Sequence, residues 1–243
     1  MTVVDVDISC PVPERSPAEL RELALLAGPE LELGSAEDII GWAVATFGAR
    51  FCVASSMADA VLAHVAARVA PGVRVVFLDT GYHFAETIGT RDAVAATLPV
   101  EVVTLRPEQS VGDQDAAYGP DLWMRESDRC CALRKVEPLR RGLADYDAWA
   151  TGLRRDETRN RVIAPVVGWD ERLGTVKVSP LARWTQADVD DYIVEHQVLV
   201  NPLVADGYPS IGCHPCTRRV AAGDDPRSGR WAGTAKTECG IHS

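Results

Sequence analysis

The sequence predicts an α/β protein: a parallel sheet flanked by helices, followed by an irregular C-terminal tail. Two observations carry the core of that reading. Short apolar runs rich in β-branched residues, "FCVAS", "VRVVFLDTG" and "VEVVTL", alternate with helical patterns. These runs are continuously apolar rather than alternating, which marks strands buried on both faces by crossover helices. A third observation sets the tail apart. Beyond Pro209 the periodicity dissolves into Gly, Pro, Cys and basic residues.

The elements follow in order. Ser16-Pro17-Ala18-Glu19 supplies an N-cap, a proline at N1 and a glutamate at N3, and Gly28-Pro29 is expected to end that helix. Ser35 caps a second helix in "GSAEDIIGWAVATFG". Then "FCVAS" reads as a strand, "MADAVLAHVAARVA" as a helix, "VRVVFLDTG" as a strand, "FAETIGTRDAVAATL" as a helix and "VEVVTL" as a strand. "DAWATG" is a further strand and "TQADVDDYIVEHQV" a later helix. No internal repeat or low-complexity tract interrupts the series. The expected organisation is an arm and helix over residues 1–34, an α/β core over 35–206 and a C-terminal segment over 207–243.

Composition narrows the function classes. With 47% hydrophobic and 25% charged residues, the 243-residue chain suits a globular protein with a sizeable core. No apolar run reaches the roughly 20 residues of a membrane span. The start, "MTVVDVDISCPVPERSP", has no basic stretch leading into an apolar core, so no secretion signal is read there. Seven cysteines, an odd number in a chain too large to need staples, argue for a reducing cytoplasm. The net charge of −10 argues against a general nucleic-acid binder. Yet ten of the 25 Lys and Arg fall between Arg125 and Arg161, and five more between Arg218 and Lys236. Half of these suffice on solvated helix faces. The rest suit a compact phosphorylated or sulfated ligand.

Ligands of open parallel sheets bind beyond the carboxyl ends of the strands, so three loops matter most. "ASSMADAVL" places Ser55 and Ser56 at an expected helix N-terminus, where they serve either as a plain cap or as phosphate ligands. "FLDTGYHFAET" places Asp79, Thr80 and Gly81 at a strand end, as a turn or as a ligand-facing polar cluster. "TGLRRDETRNR" puts Arg154, Arg155, Arg159 and Arg161 just after Gly152. Four arginines there exceed what a solvated turn needs, and their forked donors suit phosphate or sulfate.

The cysteines form two pairs. "RCCALRKVEPL" holds Cys130 and Cys131 side by side, and "IGCHPCTRRV" holds Cys213 and Cys216 as C-x-x-C. Each pair alone has bland readings, such as small buried residues or a redox disulfide. Two pairs in one chain point to a four-cysteine metal centre. Adjacent cysteines fit zinc poorly and a multi-iron cluster better, because neighbouring side chains diverge. Cys10 and Cys52 read as bystanders. The chain then ends in "KTECGIHS", where Cys239 is either an accidental terminal thiol or a nucleophile with His242 near enough to tune it or bind an anion.

Five motifs, in chain order "LDTGYHF", "CCALRKVEPL", "TGLRRDETRNR", "GCHPC" and "ECGIH", resemble the adenylylsulfate reductases of bacterial sulfate assimilation. Those enzymes belong with the phosphoadenylylsulfate reductases, on a fold like that of the adenine-nucleotide α-hydrolases. The likeness spans about residues 35 to 243. It implies adenosine 5′-phosphosulfate as substrate, sulfite and AMP as products, and a Cys239 S-sulfonate resolved by thioredoxin. It implies a 4Fe-4S cluster on Cys130, Cys131, Cys213 and Cys216, with Lys135 linking cluster and substrate. Arg155 or Arg161 matches the family's strand-loop arginine, while Arg227 and Arg230 match a pair preceding the nucleophile. Ser55 and Thr80 match nucleotide-loop positions. "SSMAD" departs from the related S-G-G-x-D-S pattern by lacking both glycines, which weakens the phosphate-side roles of Ser55 and Ser56.

Rival readings remain distinguishable. A phosphoadenylylsulfate reductase is the nearest, but members using that substrate generally lack the four cysteines. An ATP-dependent adenylating enzyme, such as a tRNA thiolation protein, would want an intact first loop. A non-catalytic four-cysteine metal protein has no use for the ECGIH tail. Whether the chain works as a homo-oligomer is not legible in the sequence.

Overall fold

The computed structural model describes residue 8, residues 12–232, and residues 236, 240 and 241. The apolar runs form β1 (Phe51–Ala54), β2 (Arg74–Leu78), β3 (Glu101–Leu105) and β4 (Ala148–Thr151), all parallel. Two more strands, β5 (Val167–Asp170) and β6 (Thr175–Val178), complete a six-stranded sheet in the order β3-β2-β1-β4-β6-β5. β6 runs parallel to β4, whereas β5 is antiparallel to β6. The expected all-parallel sheet is therefore mixed. A turn of four residues can join strands only as a hairpin, since a parallel crossover needs about a dozen residues or more.

The helices are set by their caps. Capping boxes open α1 (Pro17–Leu31) at Ser16 and Glu19 and α2 (Ala36–Phe47) at Ser35 and Asp38. α3 (Val61–Val69) and α4 (Ala85–Thr97) follow β1 and β2. Between β3 and β4 the chain forms α5 (Val111–Tyr118), α6 (Leu122–Arg125), α7 (Ser127–Cys131), a π-helical turn (Ala132–Val136) and α8 (Glu137–Gly142). α9 (Gln186–His196) opens with a box of Thr185 and Asp188.

Two boundaries differ from expectation. α1 runs through Gly28-Pro29 to Leu31 instead of ending there. Pro29 sits near the end, where a missing donor disturbs little, and Gly28 presses so closely on β5 that a Cβ would stand 2.8 Å from the Val167 carbonyl oxygen. Tertiary contact overrides the local stop signal. α3 starts at Val61 rather than at Met57, because Met57 is left-handed at φ 59°. Asp59 Oδ1, not a serine, accepts the Val61 N–H at 2.9 Å.

Apolar side chains of the strands point to both faces. The larger cluster joins Phe51, Val53, Val75 and Phe77 to α1, α2, α3 and α9. The smaller one joins Cys52, Val76 and Trp149 to Leu139 and Leu143 around α8, on the opposite face. Among the described residues no helix is long and apolar enough to cross a membrane.

Candidate functional site

The strand order reverses between β1 and β4, and the crevice above such a reversal is where open α/β sheets bind ligands. Ala54 pairs with Thr151, so Ser55 and Gly152 emerge at one level on either side of it. Gly152 faces open space, with no atom within 4 Å of where a Cβ would stand. Ser55 Oγ accepts the Met57 N–H at 3.3 Å, and Ser56 is exposed. Neither serine caps α3, contrary to expectation. The loop is stiffened from below by fully buried Asn201, whose Nδ2 donates to the Met57 carbonyl at 3.0 Å and to Thr87 Oγ1 at 3.1 Å. A left-handed Met57 takes the conformation that a glycine would adopt more readily.

The loop after β2 does something different from what its sequence suggests. Asp79 Oδ1 accepts the Gly81 N–H, while its Oδ2 pairs with Arg106. Thr80, expected on the nucleotide side, is 1% exposed, and its Oγ1 lies 3.3 Å from Cys213 Sγ. The turn at Gly81, φ 75°, folds the hydroxyl inward under the C-x-x-C segment. The next backbone contact reinforces this, because the His214 N–H donates to the Tyr82 carbonyl at 2.7 Å.

That contact draws the two cysteine pairs together. Cys130 and Cys131 end α7, immediately before the π-helical turn, and Cys213 and Cys216 flank a short 3₁₀ turn. Cys130, Cys131 and Cys213 are buried and Cys216 is half-buried. Burial, then the neighbouring Cys213 and Cys216, push the Cys130 thiol up to about 11. Burial and Cys213 push Cys216 upward as well. Around these sulfurs stand cations. Lys135 and Arg134 act on Cys130, while Lys135, Arg230 and Lys236 act on Cys216. Arg134 is almost fully buried; it donates to the Thr80, Gln109 and Ser110 carbonyls and to Gln114 Oε1. Cys130, Cys213 and Cys216, near enough to act on one another and surrounded by positive charge, suit a group carrying negative charge. Among the described residues, no three His, Cys, Asp or Glu side chains gather as around a single metal ion.

The arginine loop divides. Glu157 gathers its own part of the loop: its Oε2 accepts from Arg161 and from the Arg154 N–H, and its Oε1 lies 3.8 Å from Arg227 Nη1. Arg155 turns the other way, donating with both Nη atoms to Glu32 beyond α1 and with Nε to the Ala164 carbonyl. Of the two candidates, Arg161 therefore stands with Arg227, and Arg155 does not. Arg230 donates to the Ile211 carbonyl and lies over the Trp231 ring, beside the C-x-x-C segment. Arg218 and Gly229 pair so tightly that a Cβ on Gly229 would stand 2.2 Å from the Arg218 carbonyl oxygen. Gly229→Ala is expected to destabilise the protein by about 1–3 kcal/mol through that clash. A urea midpoint equal to that of the parent protein would show that the pair opens without cost.

Sequence reasoning missed Glu157, Arg134, Arg172 and Lys236. Glu157 had a signal, since it stands four residues before Arg161 as an i, i+4 partner. Arg134 had none, because its partners, backbone carbonyls and the Gln114 side chain, are brought in by the fold. Cys239 and His242 lie outside the described residues. Their described neighbours do not: Lys236 bonds Asp128 at 2.6 Å and also the Cys131 thiol. A Cβ on Gly240 would stand 3.2 Å from Val136.

Comparison with known proteins finds relatives along nearly the whole chain. The adenosine 5′-phosphosulfate reductase of Streptomyces coelicolor is 64% identical over 229 residues, 94% of this chain and 97% of that one. Its namesake in Mycobacterium tuberculosis is 52% identical over 242 residues, covering 93% and 95%. The crystal structure of the phosphoadenylyl-sulfate reductase of Candida auris superimposes with a TM-score of 0.69 at 26% identity, over 86% of this chain and all of that one. A Candida glabrata FMN adenylyltransferase shares the fold alone, at 9% identity and a TM-score of 0.56, over 90% of this chain and 74% of that one. The architecture is that of the adenine-nucleotide α-hydrolases, a mostly parallel sheet between helices. Residues 50–219 match the model of the phosphoadenosine phosphosulfate reductase domain, and with these identities the chain belongs to that family.

Proposed function

We propose that this protein reduces adenosine 5′-phosphosulfate to sulfite and AMP, with Cys239 as nucleophile and thioredoxin as reductant. The observation that carries the reading is that Cys130 meets Cys213 and Cys216 among Lys135, Arg134 and Arg230, while Lys236, in the segment leading to Cys239, reaches Cys131. The names of the relatives, at 52–64% identity over nearly the whole chain, support it.

The chemistry runs in two steps. The Cys239 thiolate attacks the sulfur of the phosphosulfate, the sulfur–oxygen bond to phosphate breaks, and AMP leaves with that electron pair. A thioredoxin thiolate then attacks Cys239 Sγ, sulfite leaves with the electrons of the sulfur–sulfur bond, and thioredoxin closes its own disulfide as Cys239 returns to a thiol. Ser55, Ser56 and open Gly152 receive the adenylyl half. Lys135, Arg161, Arg227 and Arg230 neutralise the phosphosulfate, with His242 assisting at the tail. Arg161 and Arg227 are held ready by Glu157. Thr80 supports the cysteine side, and Asp79 fixes its turn.

The four thiols would fit a 4Fe-4S cluster as soft, mostly buried donors, three of which, Cys130, Cys213 and Cys216, act on one another. Bound there, such a cluster supplies a cross-link between α7 and the C-x-x-C segment and a charged neighbour to Lys135. Both electrons of the reduction come from thiols. Cytoplasmic residence follows from free cysteines and a dithiol partner.

Two measurements test the reading. Anaerobically purified protein is expected to be brown, with four irons and four sulfides per chain as a cluster of that type requires. Stoichiometric zinc without iron refutes the cluster. In competition, the adenylylsulfate is expected to turn over faster than its 3′-phosphorylated form, because no further cluster of Lys and Arg lies outside the two basic stretches. The opposite preference makes the protein a phosphoadenylylsulfate reductase.

A further inference from the structure

The turn between β5 and β6 presents an arginine to the C-terminal segment. Asp170 Oδ1 accepts the N–H groups of Arg172 and Leu173 at 3.1 and 3.2 Å, and Gly174, at φ 66°, closes the turn with its N–H on the Asp170 carbonyl. From this rigid base Arg172 Nη1 donates to the Gly240 carbonyl at 2.7 Å and Nη2 to the Ile241 carbonyl at 3.1 Å. A guanidinium fork on two successive carbonyls fixes the direction of a backbone as well as its position. Ile241 adds a second hold by packing against the apolar cluster of Cys52, Val76, Leu139, Leu143 and Trp149. Gly240 adds a third, lying against Val136, the residue after Lys135.

We propose that Arg172 is a positioning residue for the nucleophile: by clamping Gly240 and Ile241 it anchors the chain directly after Cys239. The proposal rests on the two-step reading above. Consecutive Cα atoms lie about 3.8 Å apart, so a clamp on residue 240 restricts residue 239 almost as tightly. Attack on sulfur needs that alignment, and a misplacement of about 1 Å can cost on the order of a hundredfold. Reduction of a finished S-sulfonate by a separate dithiol protein needs access instead. The clamp therefore favours the first step only.

The test separates the steps. Parent protein, Arg172→Ala, Arg172→Lys, Ile241→Ala and the remote control Arg68→Ala are mixed with adenosine 5′-phosphosulfate without reductant. The rate of the S-sulfonate adduct is followed by mass spectrometry, and preformed adduct is then challenged with thioredoxin. Arg172→Ala is expected to slow adduct formation about tenfold or more, as loss of two charge-assisted bonds predicts, and to leave sulfite release unchanged or faster. Arg172→Lys, which keeps the charge but not the fork, recovers part of the rate. Ile241→Ala follows Arg172→Ala, and Arg68→Ala behaves as the parent. Without any substrate, carboxypeptidase is expected to trim the terminus of Arg172→Ala faster. Adduct formation at the parent rate in Arg172→Ala, equal slowing of both steps, or unchanged trimming overturns the clamp. If the parent itself forms no adduct, the proposed function falls instead, and the trimming rates still decide whether Arg172 holds the tail.

Discussion

Replacing Cys239 by Ser is expected to abolish sulfite formation while leaving nucleotide binding and iron content in place. A serine hydroxyl is a weak nucleophile beside a thiolate and yields no sulfur–sulfur bond for thioredoxin to open. The structure adds a reason why three of the other cysteines do not substitute. Burial pushes the Cys52 thiol far up in a strand, burial with Cys213 and Cys216 pushes Cys130 up, and burial with Cys213 pushes Cys216 up. None of these three is a ready thiolate at neutral pH. Turnover is expected to drop by on the order of 10⁴-fold or more, as when a nucleophile is removed from other covalent enzymes. In the parent protein incubated with substrate alone, the mass of one sulfonate should appear on the C-terminal peptide. Substantial thioredoxin-dependent turnover by Cys239→Ser, or an adduct on another cysteine, refutes the assignment.

Cys213→Ser is expected to lose iron, colour and much of the fold's stability together. Cys213 is buried, lies 3.3 Å from Thr80 Oγ1 and stands in the segment that bonds Tyr82 through His214. Metal binding free energy is folding free energy where a site must be assembled from distant parts of a chain. Here residues 130–131 and 213–216 are such parts, and the ring of Arg134, Lys135, Arg230 and Lys236 repels itself when no anionic group lies inside it. The same logic gives a pH dependence. A ligand thiol must lose its proton, and Cys130 holds its own up to about 11, so iron loading of stripped protein is expected to fall as pH is lowered. Urea midpoints and iron content of Cys213→Ser and Cys130→Ser check the claim. Full iron in either variant shows that the replaced cysteine is no ligand.

Much of the architecture was legible because the relevant signals are local. Capping boxes open four of the described helices, from short strings such as Ser16 to Glu19 and Thr185 to Asp188; α1 and α2 were read with their caps, and α9 from its helical pattern. The parallel strands declared themselves as continuous apolar runs. β5 and β6 did not, since "VGWD" and "TVKV" are short and carry Asp and Lys, although the Gly-ended turn between them was a hairpin signal. The region 111–142 was read for its cysteines and its basic residues, not for its helices, and its π-helical turn has no sequence signature of comparable strength.

The amino-acid sequence by itself determined the fold class, the succession along the chain of the strands β1 to β4, the two cysteine pairs and the terminal motif. Each of these is carried by neighbouring residues whose periodicity or spacing is enough. Only the tertiary structure decided the rest. It sent Arg155 to Glu32 and kept Arg161 with Arg227, it turned Thr80 toward Cys213, and it set Arg172 on the backbone at Gly240 and Ile241. A side chain's chemistry names the partners it can accept. Which one it meets is set by contacts between segments far apart in the chain, and those exist only once the sheet has brought them together.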